Sequence, residues 1–345
     1  MATIRDVANR AQVSMITVSR VINQIGYVRA ETRERVLQAI HELNYVPNVQ
    51  ARSLRSRRTH TLALLITDVT NPFWTTLARG VEDKAAENSF SVILCNTDED
   101  PEKEQRYVTV VVEKRVDGVV VAPATSDGTN LHQLTVHNIP YVVVDRRLDQ
   151  LDTDIVLGDN VDASYRLVSS LVQQGHRRIA AITGPEGIST ADERLTGYGR
   201  ALADADIAVD PVLVKRGPFV RETGHRAMLE LLDLPDRPTA IFACNNFIAF
   251  GALIALRERG LSVPQAMELG AFDEVPLLSV FYPSLKMAVQ PAYEMGEIAT
   301  ELLLERILIG RREPREVLLE TRLDFEAPHQ NGHARRDRYQ AEYKE

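Results

Sequence analysis

Only two cysteines, Cys95 and Cys244, occur in the 345 residues, far apart and each within an apolar run. That scarcity argues against a disulfide scaffold and a cysteine metal centre, and it fits a reducing cytosol. No apolar stretch approaches the ~18 residues of a membrane span, and the N-terminus lacks a signal-peptide core. A cytoplasmic protein is the expectation. Also missing are a Gly-x-x-x-x-Gly-Lys phosphate loop, a G-x-G-x-x-G turn and a G-x-S-x-G nucleophile elbow. His41-Glu42 lacks the second histidine of a zinc motif and reads as helix surface, and His176, between a helix end and a strand, reads as structural. No cofactor and no metal is therefore expected. The length leaves room for about two domains, each with its own core.

Charge is scarce in one sense too: the first sixty residues contain no lysine. They hold ten arginines against four acids, a net +6, within a chain whose total is −8. The remaining residues therefore carry −14. A basic segment joined to an acidic body is the charge footprint of a polyanion-binding module on a separate domain, although a solvated basic surface has the same composition.

Pattern narrows the choice. Thr3-Ile-Arg-Asp6 is a capping-box start for a helix that carries Ile4, Val7, Ala8 and Ala11 on one face and ends near Gln12. Ser14 can cap a second helix whose inward face is Val18, Val21 and Ile22 and whose outward face is Met15, Ile16, Ser19 and Arg20. A third helix is predicted from Glu31 to Asn44, burying Val36, Leu37, Ile40 and Leu43. Two short helices across a tight turn, braced by a third, form a helix-turn-helix pattern. A protein-interaction module of three helices fits the same spacing.

The run Ala2-Thr-Ile-Arg-Asp-Val-Ala-Asn-Arg-Ala-Gln-Val-Ser-Met-Ile-Thr-Val-Ser-Arg-Val-Ile-Asn23 resembles the N-terminal signature of the lactose/galactose repressor (LacI/GalR) family of bacterial transcription regulators. Glu31-Thr-Arg-Glu-Arg-Val36 and Leu43-Asn-Tyr-Val-Pro-Asn48 extend the match. The resemblance implies that Ser14, Met15, Ile16, Thr17 and Arg20 face operator DNA. Arg20 can donate two hydrogen bonds to a guanine, whereas Met15 and Ile16 offer apolar contacts such as those to thymine methyls. The other arginines would hold phosphates.

Between Pro47 and His60 lies a basic stretch too short for a domain. Asn48 can cap a helix of about nine residues, which is marginal alone in water. Read from residues alone, a flexible tether remains open. The resemblance implies instead a hinge helix that orders on operator DNA, with Ala51, Leu54 and Arg55 at the minor groove and Leu54 as an apolar wedge between base pairs.

From residue 61 short apolar runs alternate with helical patterns. Strands are predicted at Leu62–Ile66, Val92–Leu94, Gly118–Val121, Tyr141–Val144, Ile179–Ile182, Ala240–Ala243 and Leu269–Phe272. Helices are predicted at Trp74–Glu87, Pro101–Arg115, Val161–Gln174, Phe247–Arg259 and Tyr293–Ile309. Such alternation means parallel, doubly wound sheets, and the span suits two lobes with a ligand cleft at the carboxyl ends of the strands. Asp68 to Trp74, Asp145-Arg146, Cys244-Asn245-Asn246 and Asp273-Glu274 all follow strands, and together they suit a polyol better than a set of turn residues.

The resemblance reaches about residue 327 and implies a body like the sugar-binding periplasmic proteins, with Gly175-His-Arg-Arg-Ile179, Glu193-Arg-Leu-Thr-Gly-Tyr198 and Pro283 through Gln290-Pro291 at family motifs. It divides the chain into a headpiece (1–46), a hinge and linker (47–60), a two-lobed effector-binding and dimerisation domain (61–327) and a polar tail (328–345) expected to be disordered. Compared with the ribose-repressor branch, the implied effector set is Asn71, Phe73, Trp74, Asp145, Arg146, Arg194, Phe219, Asn245, Asp273 and Gln290. Asn246 and Ala271 depart from the family, which more often has Asp and a larger residue at those positions. The expected function is a homodimeric, operator-binding regulator, a repressor, switched by a ribose-like pentose. Hexose, polyol, nucleoside or purine effectors stay open. A sugar-processing enzyme with Asp145 and Asp273 as an acid–base pair is the rival from another class.

Overall fold

The computed structural model describes residues 2–23, 25–45, 58–148, 152–274, 281–282 and 284–325, and they divide into two compact units, residues 1–59 and 60–345. The predicted hinge residues Ala51, Leu54 and Arg55, and the tail, lie outside the described residues.

The first unit holds helices α1 (Ile4–Ala11), α2 (Met15–Asn23) and α3 (Ala30–Glu42). Thr3 and Asp6 form the expected capping box, and Gln12 ends α1 in the left-handed conformation. Val7, Ala8, Ala11, Val18, Val21, Val36 and Ala39 make the core, with Ile22, Ile40 and Leu43 packed against it. Leu37 corrects the prediction: it is 52 % exposed, and Ala39 takes the buried place. Helical spacing from Val36 admits either neighbour, and only the smaller side chain lies on the face turned to α1 and α2. Arg10 on α1 reaches Glu42 on α3 at 2.6 Å, which with Gln38 holds the Glu42 carboxyl below its ordinary pKa.

The second unit has two lobes with the same plan. Lobe 1 is built on β1 (Thr61–Ile66), β2 (Ser91–Asn96), β3 (Gly118–Val121), β4 (Tyr141–Val144), β5 (Asp154–Gly158) and β11 (Glu316–Leu319), paired in the order β11-β5-β4-β3-β1-β2. All five pairings are parallel. Lobe 2 repeats the order as β12-β10-β9-β8-β6-β7, using β6 (Ile179–Thr183), β7 (Val214–Arg216), β8 (Ala240–Ala243), β9 (Glu268–Phe272), β10 (Lys286–Val289) and β12 (Arg322–Leu323). Only its last pairing, β10 with β12, is antiparallel.

Helices cover both faces, so the inner strands β1, β3, β4, β6, β8 and β9 are buried on both sides, while β2, β7 and β11 stay partly exposed. In β1, Leu62, Leu64 and Ile66 enter one core while Ala63 and Leu65 enter the other. Lobe 1 carries α4 (Pro72–Glu87), α5 (Pro101–Lys114), α6 (His132–Val136) and α11 (Ala292–Leu308). Lobe 2 carries α7 (Asn160–Gln173), α8 (Ser189–Ala203), α9 (Arg221–Leu232) and α10 (Asn246–Glu258).

The chain passes between lobes near Asp159, Gln290 and Glu320, and these passages are stitched together. The Asp159 N–H donates to the Leu319 carbonyl at 3.0 Å, and the Asp159 carboxylate accepts from the Thr321 N–H at 2.7 Å. Gly158 lies so close to Gln290 that a Cβ there would overlap Oε1, so any larger residue would push the Gln290 side chain from its place.

Candidate functional site

On α2, Ser14 caps the helix by accepting from the Thr17 N–H at 3.2 Å, and the two hydroxyls lie 3.0 Å apart. Val18 and Val21 are buried, which turns Met15, Ile16 and Arg20 to the outside, Ile16 at 67 % exposure. Two exposed apolar side chains beside an exposed arginine, on the second helix of a tight pair, form a surface suited to a DNA major groove.

In the body the polar residues gather at the carboxyl ends of the strands, arranged alike in both lobes. Asp145 follows β4 and Asp273 follows β9, both left-handed, at φ 65° and 67°. Each N–H still pairs with the neighbouring strand, Asp145 to the Val156 carbonyl at 2.9 Å and Asp273 to the Ala288 carbonyl at 2.8 Å. Aspartate is among the few residues that tolerate this conformation. The turn carries each carboxylate off the end of its sheet.

Cationic and amide groups surround the two acids. The Arg194 guanidinium lies 3.7 Å from the Asp273 carboxylate and 3.8 Å from the centre of the Phe272 ring. Its Nε donates to Asn160 Oδ1 at 2.8 Å and its Nη1 to the Cys244 carbonyl at 2.7 Å. Gln290 donates to Asp273 at 2.8 Å. Arg146 donates to the Pro123 carbonyl at 2.7 Å and to Glu99 at 2.5 Å. Asn245 caps α10 through the Ile248 N–H and donates to the Phe219 carbonyl at 3.5 Å.

Burial pushes the Asp145 carboxyl up to about 6 against the pull of Arg194 and Arg146, with Asp273 and Glu99 adding to the rise. Asp273 is raised by burial too, opposed by Arg194 and Gln290. Three buried polar atoms of this cluster have no partner: Asp145 Oδ1, Arg146 Nε and Gln290 Oε1. Unmet buried polar atoms are costly and uncommon, so two acceptors and one donor left in this strand-end cluster make it the candidate place for a polar ligand.

The aromatic members pack separately. Phe73 and Trp74 meet edge to face, centroids 4.8 Å apart, at the margin of the lobe 1 core. Phe219 lies on lobe 2 with its ring against Gly184, where a Cβ would overlap it. The amide of Asn71 caps α4 and meets Asn246 of lobe 2. Sequence reasoning missed Glu99, which holds Arg146, and Asn160, which orients Arg194. Asn160 could have been found as the first residue of α7, directly after the first passage between lobes.

His176 Nδ1 lies 2.9 Å from the Thr239 hydroxyl, and Cys244 is buried with its thiol pushed up to about 11. Among the described residues no His, Cys, Asp and Glu cluster could hold a metal, and no helix is long and apolar enough to cross a membrane.

A helix-turn-helix unit joined to two parallel α/β lobes, with polar groups converging where the strands end, defines a DNA-binding regulator that carries a small-molecule receptor. Residues 3–48 match the bacterial regulatory proteins of the lacI family, and residues 59–327 match the periplasmic binding proteins and sugar binding domain of LacI family. The chain belongs to the LacI family, whose members are transcriptional regulators and not enzymes. It is 37 % identical over 320 residues to the ribose operon repressor of Haemophilus influenzae, covering 93 % of this chain and 96 % of that one. It is 35 % identical over 308 residues to the transcriptional repressor PurR of Aliivibrio salmonicida, covering 89 % and 92 %. The fold is similar to the lac repressor dimer bound to operator and the anti-inducer ONPF, with TM-score 0.82, 26 % identity and coverage of 93 % and 97 %.

Proposed function

We propose that the chain is an operator-binding repressor, acting as a homodimer, whose DNA affinity is switched by a ribose-like pentose bound between the two lobes. Asp145, Arg146, Asn245, Asp273 and Gln290 bind hydroxyls, Arg194 grips ring and hydroxyl oxygens, and Phe73, Trp74 and Phe219 cover the apolar faces of the sugar, with Asn71 at the rim. In the headpiece Ser14, Met15, Ile16, Thr17 and Arg20 read the major groove. Ala51, Leu54 and Arg55 enter the minor groove. The observation that carries the effector reading is the trio of unpartnered buried atoms, Asp145 Oδ1, Arg146 Nε and Gln290 Oε1. A compact polyol supplies donors and acceptors at that density, and each of its hydroxyls can do both. The ribose name of a relative at 37 % identity supports a pentose, and the similar identity to a relative named PurR keeps purines and nucleosides in the test.

Closure around the effector would alter the spacing of the two headpieces of a dimer, and an effector shifts that equilibrium only by binding one state better. Calorimetric titration with pentoses, hexoses, polyols, nucleosides and purines checks the assignment. Heat and a single-site isotherm from D-ribose are expected. A response confined to another class overturns the pentose.

A further inference from the structure

Asn71 and Asn246 face each other across the cleft as a reciprocal amide pair. Asn71 Nδ2 donates to Asn246 Oδ1 at 3.1 Å, and Asn246 Nδ2 donates back to Asn71 Oδ1 at 2.9 Å. Both side chains are buried. Each is also held from its own lobe. Asn71 Oδ1 accepts from the Phe73 N–H at 3.0 Å as the cap of α4. Asn246 Oδ1 accepts from the Phe247 N–H at 2.8 Å, and its Nδ2 donates to the Glu274 carbonyl at 3.2 Å. With both oxygens engaged by backbone N–H groups, neither amide can turn over without losing a bond. The orientation that satisfies each lobe is the one that joins the two.

From this geometry we infer that Asn71 and Asn246 are closure residues, a two-bond latch that holds the lobes together before any effector enters. Another link across the cleft, at Arg147, is of a different kind. The Arg147 N–H donates to the Ser189 hydroxyl at 2.9 Å, and its guanidinium lies 3.5 Å from Glu193 while forming a closer pair with Glu316 of its own lobe. That side chain is well exposed, and exposed pairs contribute little. The buried amides are the ones whose separation leaves polar atoms to be resatisfied.

Aspartate at 246 separates latch from shape. It keeps the volume and the Phe247 N–H contact, but its second oxygen would face two acceptors, Asn71 Oδ1 and the Glu274 carbonyl. Serine at 71 retains a helix cap for α4 while removing the amide donor. The latch rests on the proposed effector role of the cleft only for its consequence, that pre-closure raises the fraction of binding-competent molecules.

The test therefore uses the full chain with no sugar added. Spin labels on cysteines introduced at the exposed positions Val69 (lobe 1) and Val220 (lobe 2) report the opening, because native Cys95 and Cys244 are buried. Labelled protein mixed with excess unlabelled protein restricts the signal to distances within one chain. The unsubstituted receptor should give one short distance, Asn246→Asp and Asn71→Ser should each shift the distribution to longer distances, and Arg147→Ala should leave it unchanged. A variant that loses the native melting transition is replaced by the other, which acts on the opposite lobe. Distributions identical to the parent in a folded latch variant, or a parent that is already open, overturn the proposal. Neither result bears on whether ribose binds, which calorimetry decides by itself.

Discussion

Arg194→Lys should weaken D-ribose binding by about a hundredfold while the chain stays folded, because ~2–3 kcal/mol of charge-assisted contact depends on a planar fork that lysine lacks. The guanidinium donates to Asn160 and the Cys244 carbonyl, lies 3.7 Å from the Asp273 carboxylate and sits 3.8 Å over the Phe272 ring. A lysine ammonium can stay near Asp273 and keep a counter-charge in the site. It cannot also reach Asn160 and stack. Arg200→Lys is the matched control, since Arg200 lies on the same helix over the Tyr165 ring and outside the site. Calorimetry with melting curves checks both variants. Ribose affinity within threefold of the parent for Arg194→Lys would remove Arg194 from the binding set.

The second large effect is on pH. The Asp145 carboxyl, pushed up to about 6 by burial, is largely protonated at pH 5 in the empty receptor. Sugar hydroxyls donating to Oδ1 favour the carboxylate, so binding lowers that pKa and releases a proton. The sign follows: affinity rises as pH increases through the free-state value and levels off above it. A group at about 6 implies roughly a tenfold gain between pH 5 and 7.5. Titrations in buffers of different ionisation enthalpy report the proton directly. Asp145→Asn should bind ribose more weakly and lose the slope. A flat profile for the parent, or tighter binding at pH 5, contradicts this role.

Much of this architecture is legible in residues because the inner strands are buried on both faces. Gly118–Val121, Tyr141–Val144 and Ala240–Ala243 are continuous apolar runs, and they are strands with those bounds. Where a strand carries charge for a tertiary reason the signal fails. β5 opens on Asp154, whose carboxylate is fully buried between Arg306 and Arg311, and no local pattern announces a partner more than 150 positions away. β7 is Val-Lys-Arg and β12 only two residues, too short for periodicity.

The site divides the same way. Asp145, Arg146, Asn245 and Asp273 lie within two residues of a strand's end, so a strand-end rule finds them. Glu99 and Asn160 act by orienting a neighbour from another segment, and Asn246 draws notice from sequence as a strand-end residue and a departure from a family pattern, not as half of a pair. Its partner, 175 positions away, emerges only in the folded chain, where the two lobes meet.

The central claim is that one chain couples the cleft between the lobes to the helix that reads DNA. Its most direct measurement is the affinity of the full chain for operator DNA with and without saturating D-ribose, with a random duplex alongside. Ribose should change operator affinity at least tenfold while leaving the weaker binding to random DNA unaltered. Operator affinity that is the same with and without a sugar shown by calorimetry to occupy the cleft would contradict the account.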